Sequence, residues 1–158
     1  MNVRVQKQDY FVFLVEEFLS LWYLYVTEKS TKKVSFTTKG KKQITLYQPI
    51  IFNEVFDNHG ECYNPDTGKF TVQIPGIYTL SATVRCNKDD PGSRAVAWLM
   101  VDDEVKMWIA GSYYSSGSAT LSLHLSHGQS VWIKAWDSED TFSDYDISFS
   151  GALVQPDV

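Results

Sequence analysis

Apolar and polar side chains alternate with a period of two along most of the chain from residue 34 onward. In the segment GIYTLSATV, one face of the predicted strand carries Tyr78, Leu80, Ala82 and Val84. The same alternation recurs in SATLSLHL, SVWIKAW and DISFSGALV. A strand with one apolar face is what an antiparallel sheet over a core requires. The pattern therefore predicts an all-β domain of antiparallel strands.

Turn-forming residues separate these runs. The segment NPDTGKFTVQIPGIYTL contains two turns, Pro65–Gly68 and Pro75–Gly76, on either side of an alternating stretch from Phe70 to Ile74. Asp102–Glu104 joins AVAWLMV to VKMWIA as a tight hairpin. Many short strands with turns between them indicate a β-sandwich or jelly roll.

A leader over residues 1–33 differs from the domain predicted over residues 34–158. Residues 10–26 read YFVFLVEEFLSLWYLYV, a nearly continuous apolar run that is shorter than the roughly 20 residues a membrane-spanning helix needs. Glu16 and Glu17 lie in the middle of this run, where acidic side chains are costly in hydrocarbon. The chain is therefore not predicted to span a membrane.

Two interpretations of the leader stay open. Arg4 and Lys7 ahead of an apolar run resemble the start of a secretory signal peptide, although the two glutamates interrupt its apolar part. Alternatively, the run forms an amphipathic helix with Glu16, Glu17 and Ser20 on one side.

Composition narrows the class of protein. Of the 158 residues, 44% are hydrophobic and 21% are charged, as in globular chains that fold around a core. The net charge of −5 argues against nucleic acid as a partner, because phosphate-binding proteins present basic surfaces. Cys62 and Cys86 are compatible with one disulfide or with two free thiols, and their spacing excludes a CxxC motif.

Aromatic residues make up 15% of the chain, which is high for a small all-β domain. We expect that a single sandwich core does not hold Trp98, Trp108, Trp132 and Trp136 together. The tryptophans left outside the core are candidates for an interface, since aromatic side chains are enriched there.

Catalytic chemistry has no recognisable motif in this sequence. Neither a GxSxG elbow nor an HExxH helix occurs. His124 and His127 are three residues apart, which puts them on opposite faces of a strand and makes them poor joint metal ligands. The chain is not predicted to be an enzyme.

One segment carries a more specific pattern. The stretch PIIFNEVFDNHGECYNPDTGKFTVQIPGIYTL resembles the globular head domain of complement component 1q and its relatives in the spacing of its aromatic residues, an asparagine and a Gly-x-Tyr triplet. The segments VSFTT, GSATLSLHLSHGQSVWI and ISFSGALV resemble the first strand, a later hairpin and the closing strand of that domain. The residues that carry the resemblance are Phe52, Asn58, Tyr63, Phe70, Gly76, Tyr78, Phe149 and Gly151.

The resemblance implies a ten-stranded antiparallel jelly-roll sandwich, shared with the tumour necrosis factor superfamily, that assembles as a homotrimer. It also implies a secreted, non-enzymatic recognition protein of the innate-immunity type that binds carbohydrate or microbial surface patterns. The alternative within the family is a trimeric extracellular ligand for a cell-surface receptor protein, of the synaptic-organiser or hormone-like kind.

Relatives often bind calcium near the trimer apex, through side chains in the loop before the GSxxLxL strand. The corresponding loop here is AGSYYSSGS, Ala110–Ser118, and it contains no carboxylate. Because calcium prefers several anionic oxygen ligands, the calcium site of the family is predicted to be missing, and no cofactor is expected.

Two loops are candidate ligand-binding sites. Tyr113 and Tyr114 are flanked by serine and glycine, and tyrosine offers a flat apolar ring with a hydroxyl that suits sugar faces and protein hot spots. The second candidate is the acidic segment DSEDTFSDYD, interpreted as a weak cation site, an electrostatic patch for a basic partner, or a solvated loop. Its candidate residues are Asp137, Glu139, Asp140 and Asp144.

Overall fold

Two five-stranded antiparallel sheets form the domain in a computed structural model of the chain, which describes residues 15–24, 33–41, 43–137 and 141–157. Sheet 1 has the strand order β2-β1-β10-β5-β8, and sheet 2 has the order β3-β4-β9-β6-β7. The predicted ten-stranded antiparallel sandwich is confirmed. The strands are β1 (Ser35–Lys39), β2 (Glu54–His59), β3 (Tyr63–Asn64), β4 (Lys69–Thr71), β5 (Gly76–Arg85), β6 (Arg94–Val101), β7 (Glu104–Ser112), β8 (Ser116–Leu125), β9 (Ser130–Ala135) and β10 (Ser148–Pro156).

The predicted alternation holds along the central strands. In β5, every second side chain is buried in the core, and the residues between are half-buried apart from Ile77, which is exposed. In β9, the core side is formed by Val131, Ile133 and Ala135, each fully buried. Because successive side chains of a strand point to opposite faces, each sheet presents one face to the core and one outward.

An aromatic cluster joins the two sheets at the centre of the core. The Phe36 ring of β1 stacks on Tyr63 of β3 with centroids 5.3 Å apart, and on Phe70 of β4 at 4.8 Å. Phe149 of β10 meets Phe36 edge to face at 4.7 Å. All four side chains are buried. Truncation of such a ring to alanine typically costs about 3–5 kcal/mol, so this cluster is a main source of the stability of the sandwich.

The alternating stretch between the two predicted turns forms a shorter strand than predicted. Strand β4 ends at Thr71. Val72 is fully buried, but its N–H donates to the Gln129 carbonyl at 2.9 Å and its carbonyl accepts the Gly128 N–H at 2.8 Å. These partners belong to the turn between β8 and β9. The alternation that continues to Ile74 therefore reflects burial beyond the strand.

The chain divides into two units, Met1–Lys32 and Lys33–Val158. Residues 15–24 of the first unit are helical and exposed. The basic residues Arg4 and Lys7, on which the signal-peptide interpretation depends, lie outside the described residues. In the part of the chain that the structure describes, no helix has the length and apolar character needed to cross a membrane.

The two cysteines are free thiols, each buried in the sandwich. Burial raises the pKa of the Cys62 thiol. Of the two alternatives left by the sequence, the structure has the unpaired thiols.

Candidate functional site

The turn between β7 and β8 presents the two predicted tyrosines side by side. The rings of Tyr113 and Tyr114 meet edge to face, with centroids 4.8 Å apart and planes at 62°. Their exposed fractions are 39% and 51%. The pair therefore offers an open aromatic surface where the two strands end.

A carboxylate from a neighbouring loop lies against this turn. The Tyr113 hydroxyl donates to Asp89 Oδ1 at 3.2 Å. The negative charge of Asp89 raises the pKa of the Tyr114 hydroxyl. We call Asp89, Tyr113 and Tyr114 the tyrosine cluster. It combines two apolar ring surfaces with two hydroxyls and a carboxylate, groups that suit polyhydroxylated or polar ligands.

Backbone geometry fixes the orientation of the tyrosine cluster. Tyr114 has a left-handed φ of 47°, which is unfavourable for a residue with a Cβ. The turn is closed by a hydrogen bond from the Ser115 N–H to the Ser112 carbonyl at 2.7 Å. Strand β8 starts close to the end of β7, since a Cβ at Gly117 would lie 2.0 Å from the Ala110 carbonyl oxygen. Backbone strain at an exposed aromatic residue is a feature that clusters at ligand-contacting sites.

The acidic segment lies between β9 and β10, and its described carboxylates already have partners. Glu139 and Asp140 lie outside the described residues. Asp137 Oδ2 accepts a backbone N–H of β6 at 2.7 Å. Asp144 Oδ1 forms an ion pair with Lys41 Nζ at 3.0 Å. No base occurs within the segment, so its compensating charge comes from a part of the chain far away in sequence.

A second ion pair lies at the end of the same segment. Asp146 pairs with Arg85 Nη1 at 3.2 Å. Both residues line a shallow cavity of about 320 Å³ at one end of sheet 1, together with Lys39, Ser116 and Tyr145. The cavity wall therefore carries two cations and one carboxylate, although the sequence of this region is acidic.

The tyrosine cluster and the acidic segment are held by the same stretch of backbone. The Asn87 N–H donates to the Thr141 carbonyl at 2.9 Å, and the Ser143 N–H donates to the Arg85 carbonyl at 2.9 Å. Asp89 follows this stretch by two residues. Both predicted loops therefore lie at the end of the sandwich where β5 terminates.

The outward face of sheet 2 carries a group of stacked tryptophans whose common position was not predicted from the sequence. Trp98 stacks with Trp108 at a centroid distance of 5.4 Å and with Trp136 at 4.2 Å, with ring planes at 29° and 24°. Tyr47 packs edge-on against Trp136 at 4.9 Å. We call Trp98, Trp108 and Trp136 the tryptophan row. Trp132, on the same face, is almost covered, with 9% of its surface exposed.

One sequence signal pointed toward this row. The alternation in SVWIKAW places Trp132, Lys134 and Trp136 opposite the core-facing residues of β9. The missing information was the register between β6 and β7, in which Trp98 lies directly across from Trp108. Without that register, the tryptophans were recognised as surplus to the core but were not assigned to one surface.

Two described histidines lie beside carboxylates at the surface, since His59 Nδ1 is 3.6 Å from Asp57 Oδ1. His124 Nε2 lies 3.0 Å from Asp157 at the surface, as an isolated pair. Within the described ranges of the chain, no three His, Cys, Asp or Glu side chains are placed to share a metal ion.

The residues behind the family resemblance form the frame that holds these loops. The Asn58 amide clamps Tyr63, donating to its carbonyl at 2.9 Å and accepting its N–H at 3.0 Å. A Cβ at Gly76, where φ is 155°, would lie 2.2 Å from a backbone carbonyl of β10. A Cβ at Gly151 would lie 2.7 Å from an aromatic ring of β1. The remaining members, all fully buried, are Phe52, Phe70, Tyr78 and Phe149.

Known proteins resemble this chain in sequence over the same domain. Residues 32–154 match the family model of the C1q domain. Mouse (Mus musculus) complement C1q tumor necrosis factor-related protein 7 is 31% identical over 138 residues, which cover 82% of this chain and 45% of that protein. Human (Homo sapiens) multimerin-1 is 28% identical over 110 residues, which cover 64% of this chain and 8% of that protein. The chain thus spans less than half the length of these relatives.

Solved structures show the same fold. The globular domain of zebrafish complement 1qA protein superposes with a TM-score of 0.61 at 22% identity, over 80% of this chain and all of that domain. Murine APRIL superposes with a TM-score of 0.62 at 14% identity, over 78% of this chain and all of that chain. Since the family model spans nearly all of the sandwich, the chain belongs to the C1q domain family.

Proposed function

We propose that this chain is a secreted, non-enzymatic recognition protein that assembles as a homotrimer and binds carbohydrate or other microbial surface patterns through its tyrosine cluster. The observation that carries the proposal is the exposed pair of Tyr113 and Tyr114 rings, held on a strained turn beside the Asp89 carboxylate.

The chemistry of the cluster suits sugars. The C–H face of a pyranose can lie on a tyrosine ring, and its hydroxyls can bond to the tyrosine hydroxyls or to Asp89. The site is open and small, so its affinity for a single sugar should be weak. Three copies in one assembly would raise the affinity for a repetitive surface without any new contact.

Self-association is supported by membership of the C1q domain family and by the outward face of sheet 1. Three cross-strand hydroxyl pairs cover this face between β5 and β8, with oxygen–oxygen distances of 2.8–2.9 Å. The side chains are short and uncharged, so a second copy can approach closely at little desolvation cost. Thr120→Lys places a charge at the centre of this face and should convert the trimer to monomers.

The alternative function is that of an extracellular ligand for a receptor protein. Tyrosine surrounded by serine and glycine is also the composition of adaptable protein-binding loops. The relationship to a C1q tumor necrosis factor-related protein fits this role equally well.

A glycan array probed with the full chain tests the proposal and separates the two functions. Saturable, sugar-specific binding that is lost in the double variant Tyr113→Ala, Tyr114→Ala supports carbohydrate recognition. Phe56→Ala is the matched control, since Phe56 is 67% exposed and lies on β2, outside both candidate loops. The receptor-ligand function is favoured if no glycan on the array is bound and the chain captures a cell-surface protein that the double variant no longer captures. Unchanged binding of every ligand by the double variant would exclude the tyrosine cluster as the site.

A further inference from the structure

The tryptophan row continues into a lysine on the next strand. Trp98 of β6 lies across from Trp108 of β7 on one side and from Lys134 of β9 on the other. Since neighbouring strands are about 4.8 Å apart, Trp108 and Lys134 are separated by about 10 Å across the sheet. The outward face of sheet 2 therefore has an aromatic end at the open edge strand and a cationic end toward its centre.

The aromatic end is open to solvent. Trp108 is 69% exposed although one side of its ring stacks on Trp98. Trp136 and Tyr47 extend the apolar surface, with 40% and 47% of their areas exposed. The stacked rings hold one another in place, so a ligand would meet a surface that loses little conformational entropy on binding.

The cationic end has unused hydrogen-bonding capacity. Lys134 Nζ lies 5.6 Å from the centre of the Trp98 ring and 5.9 Å from that of Trp132. Lys69 Nζ lies 5.2 Å from the centre of the Trp132 ring. Among the described residues, neither ammonium group has a carboxylate within ion-pair distance. The nearby Asp137 carboxylate accepts a backbone N–H of β6.

The combination of an open indole ring and an unpaired ammonium group favours an anionic sugar. The C–H face of a sugar ring can stack on Trp108, and a carboxylate can form a charge-assisted hydrogen bond with Lys134. The whole chain carries a net charge of −5. The lysines next to the tryptophan row therefore form a local positive patch on an acidic protein. Complementary charge is what selects an anionic partner at such a surface.

Other partners fit this surface less well. Lysine is depleted from the cores of protein–protein interfaces, whereas here Lys134 sits beside the rings. Two lysines are too few for a phosphate backbone, which requires a basic stripe. They are also too few for a densely sulfated chain, whose charges need a cluster of basic residues. A polysaccharide with a carboxylate on every second sugar offers one sugar face and one carboxylate in each repeat. This surface offers one ring, Trp108, and one ammonium group, Lys134, about 10 Å apart across the sheet.

We propose that the tryptophan row, with Lys134, is a binding site for a carboxylated polysaccharide that contains uronic acid. One sugar ring stacks on Trp108, and the carboxylate of a neighbouring ring bonds to Lys134. This site lies on the outward face of sheet 2 and does not depend on the function proposed for the tyrosine cluster.

Binding of the full chain to immobilised hyaluronan, heparin and dextran tests the site. Hyaluronan supplies carboxylates without sulfate, heparin supplies dense sulfate, and dextran is neutral. We expect selective binding of hyaluronan that weakens with added salt and quenches tryptophan fluorescence. Trp108→Ala should weaken this binding about tenfold, as expected for loss of one stacking contact. Lys134→Met keeps an apolar side chain over the rings, and it should weaken binding and remove most of the salt dependence.

Two controls separate this site from the tyrosine cluster. Phe56→Ala removes a similarly exposed ring, 67%, from β2 of the other sheet and should leave hyaluronan binding unchanged. The double variant Tyr113→Ala, Tyr114→Ala should also bind hyaluronan as the parent does, even where its array signals are lost. The proposal is overturned by equal binding of dextran, by stronger binding of heparin, by absence of binding, or by hyaluronan binding that neither row variant changes.

Discussion

The outward faces of the two sheets differ in almost every respect, although they cover the same core. On sheet 1, three hydroxyl pairs link β5 to β8 across a surface of short side chains. On sheet 2, stacked indole rings and lysines extend from the edge strand β7 to β9 near the centre of the sheet. The pairs on sheet 1 are Thr79–Ser122, Ser81–Thr120 and Thr83–Ser118.

This difference shows how the sandwich separates stability from recognition. The inward residues of both sheets meet in one aromatic core and have little freedom to change. The outward residues are limited mainly by strand propensity, so each face can take a different chemistry. On sheet 1 the hydroxyls satisfy one another, which leaves a flat, uncharged surface. On sheet 2, the ring surface of Trp108 and the ammonium group of Lys134 remain available to a ligand.

A substitution that disturbs the shared core should destabilise both sheets together. Gly151→Val places two methyl groups where a Cβ alone would lie 2.7 Å from the Phe36 ring and 2.8 Å from a Leu80 methyl. We expect the free energy of unfolding in urea to fall by about 3 kcal/mol or more, since overpacking a core is costly. Gly92→Val, in an exposed turn where a Cβ would meet one side-chain atom at 3.9 Å, should change stability by less than about 0.5 kcal/mol. Equal effects of the two substitutions would show that the core does not press on Gly151.

Alkaline pH should destabilise the whole sandwich, because burial raises the pKa of Tyr63 and Tyr78 to about 12 in the folded chain. The unfolded chain ionises near pH 10. Stability is therefore complete below about pH 10 and falls as the pH rises from about 10 to about 12, because only the unfolded state then loses the protons. The loss is at most about 2.7 kcal/mol for each tyrosine, from two units of pKa at about 1.36 kcal/mol each.

Tyr63→Phe tests this dependence directly. The Tyr63 hydroxyl is buried near the Phe52 backbone and the Thr38 side chain, but within the described part of the chain no hydrogen bond of good geometry joins it to them, so its removal should change stability at pH 7 by less than about 1 kcal/mol. Chemical unfolding at pH 7 and at pH 11 measures how much free energy of unfolding is lost between the two pH values. We expect this loss to be smaller for the variant than for the parent chain. A loss of the same size in both would place the alkaline transition elsewhere.

The two faces should also differ in what their cross-strand contacts contribute to stability. Trp98→Ala removes two stacked pairs, each worth about 0.5–1.5 kcal/mol beyond area burial, and we expect a loss of about 2 kcal/mol. Thr83→Ala removes one hydroxyl pair on the other face and should cost about 0.2–1 kcal/mol. Urea unfolding of both variants provides the comparison. A larger loss for Thr83→Ala would mean that the hydroxyl face carries the stability.

Calcium should have the smallest effect, with no shift in the melting temperature at millimolar concentration. The loop before β8 supplies no carboxylate, and in the described residues the carboxylate that contacts its tyrosines is that of Asp89. Calcium sites usually need several anionic ligands. Thermal melts with calcium or with a chelator make the comparison, and a rise of several degrees would contradict it.

Much of the fold was predictable from the sequence, and less of the candidate site was. The exposed Tyr113 and Tyr114 pair was predicted from its small neighbours, but Asp89 was not, because it comes from a different loop. The acidic segment looked uncompensated, yet Lys41 and Arg85 neutralise two of its carboxylates. Both misses have one cause: such contacts join residues that are far apart along the chain.

Period-two alternation determined, from sequence alone, which side chains of each strand face the core, since an apolar face must be buried. The tryptophan row depended on one further detail. With the turn at Asp102 and a regular ladder, Trp98 would pair with Met107, and Trp108 would point to the opposite face. A bulge at Leu99 and Met100 inserts one extra residue on β7, so Trp98 faces Trp108. Only the tertiary structure fixes that bulge, because sandwich packing selects it over the regular register.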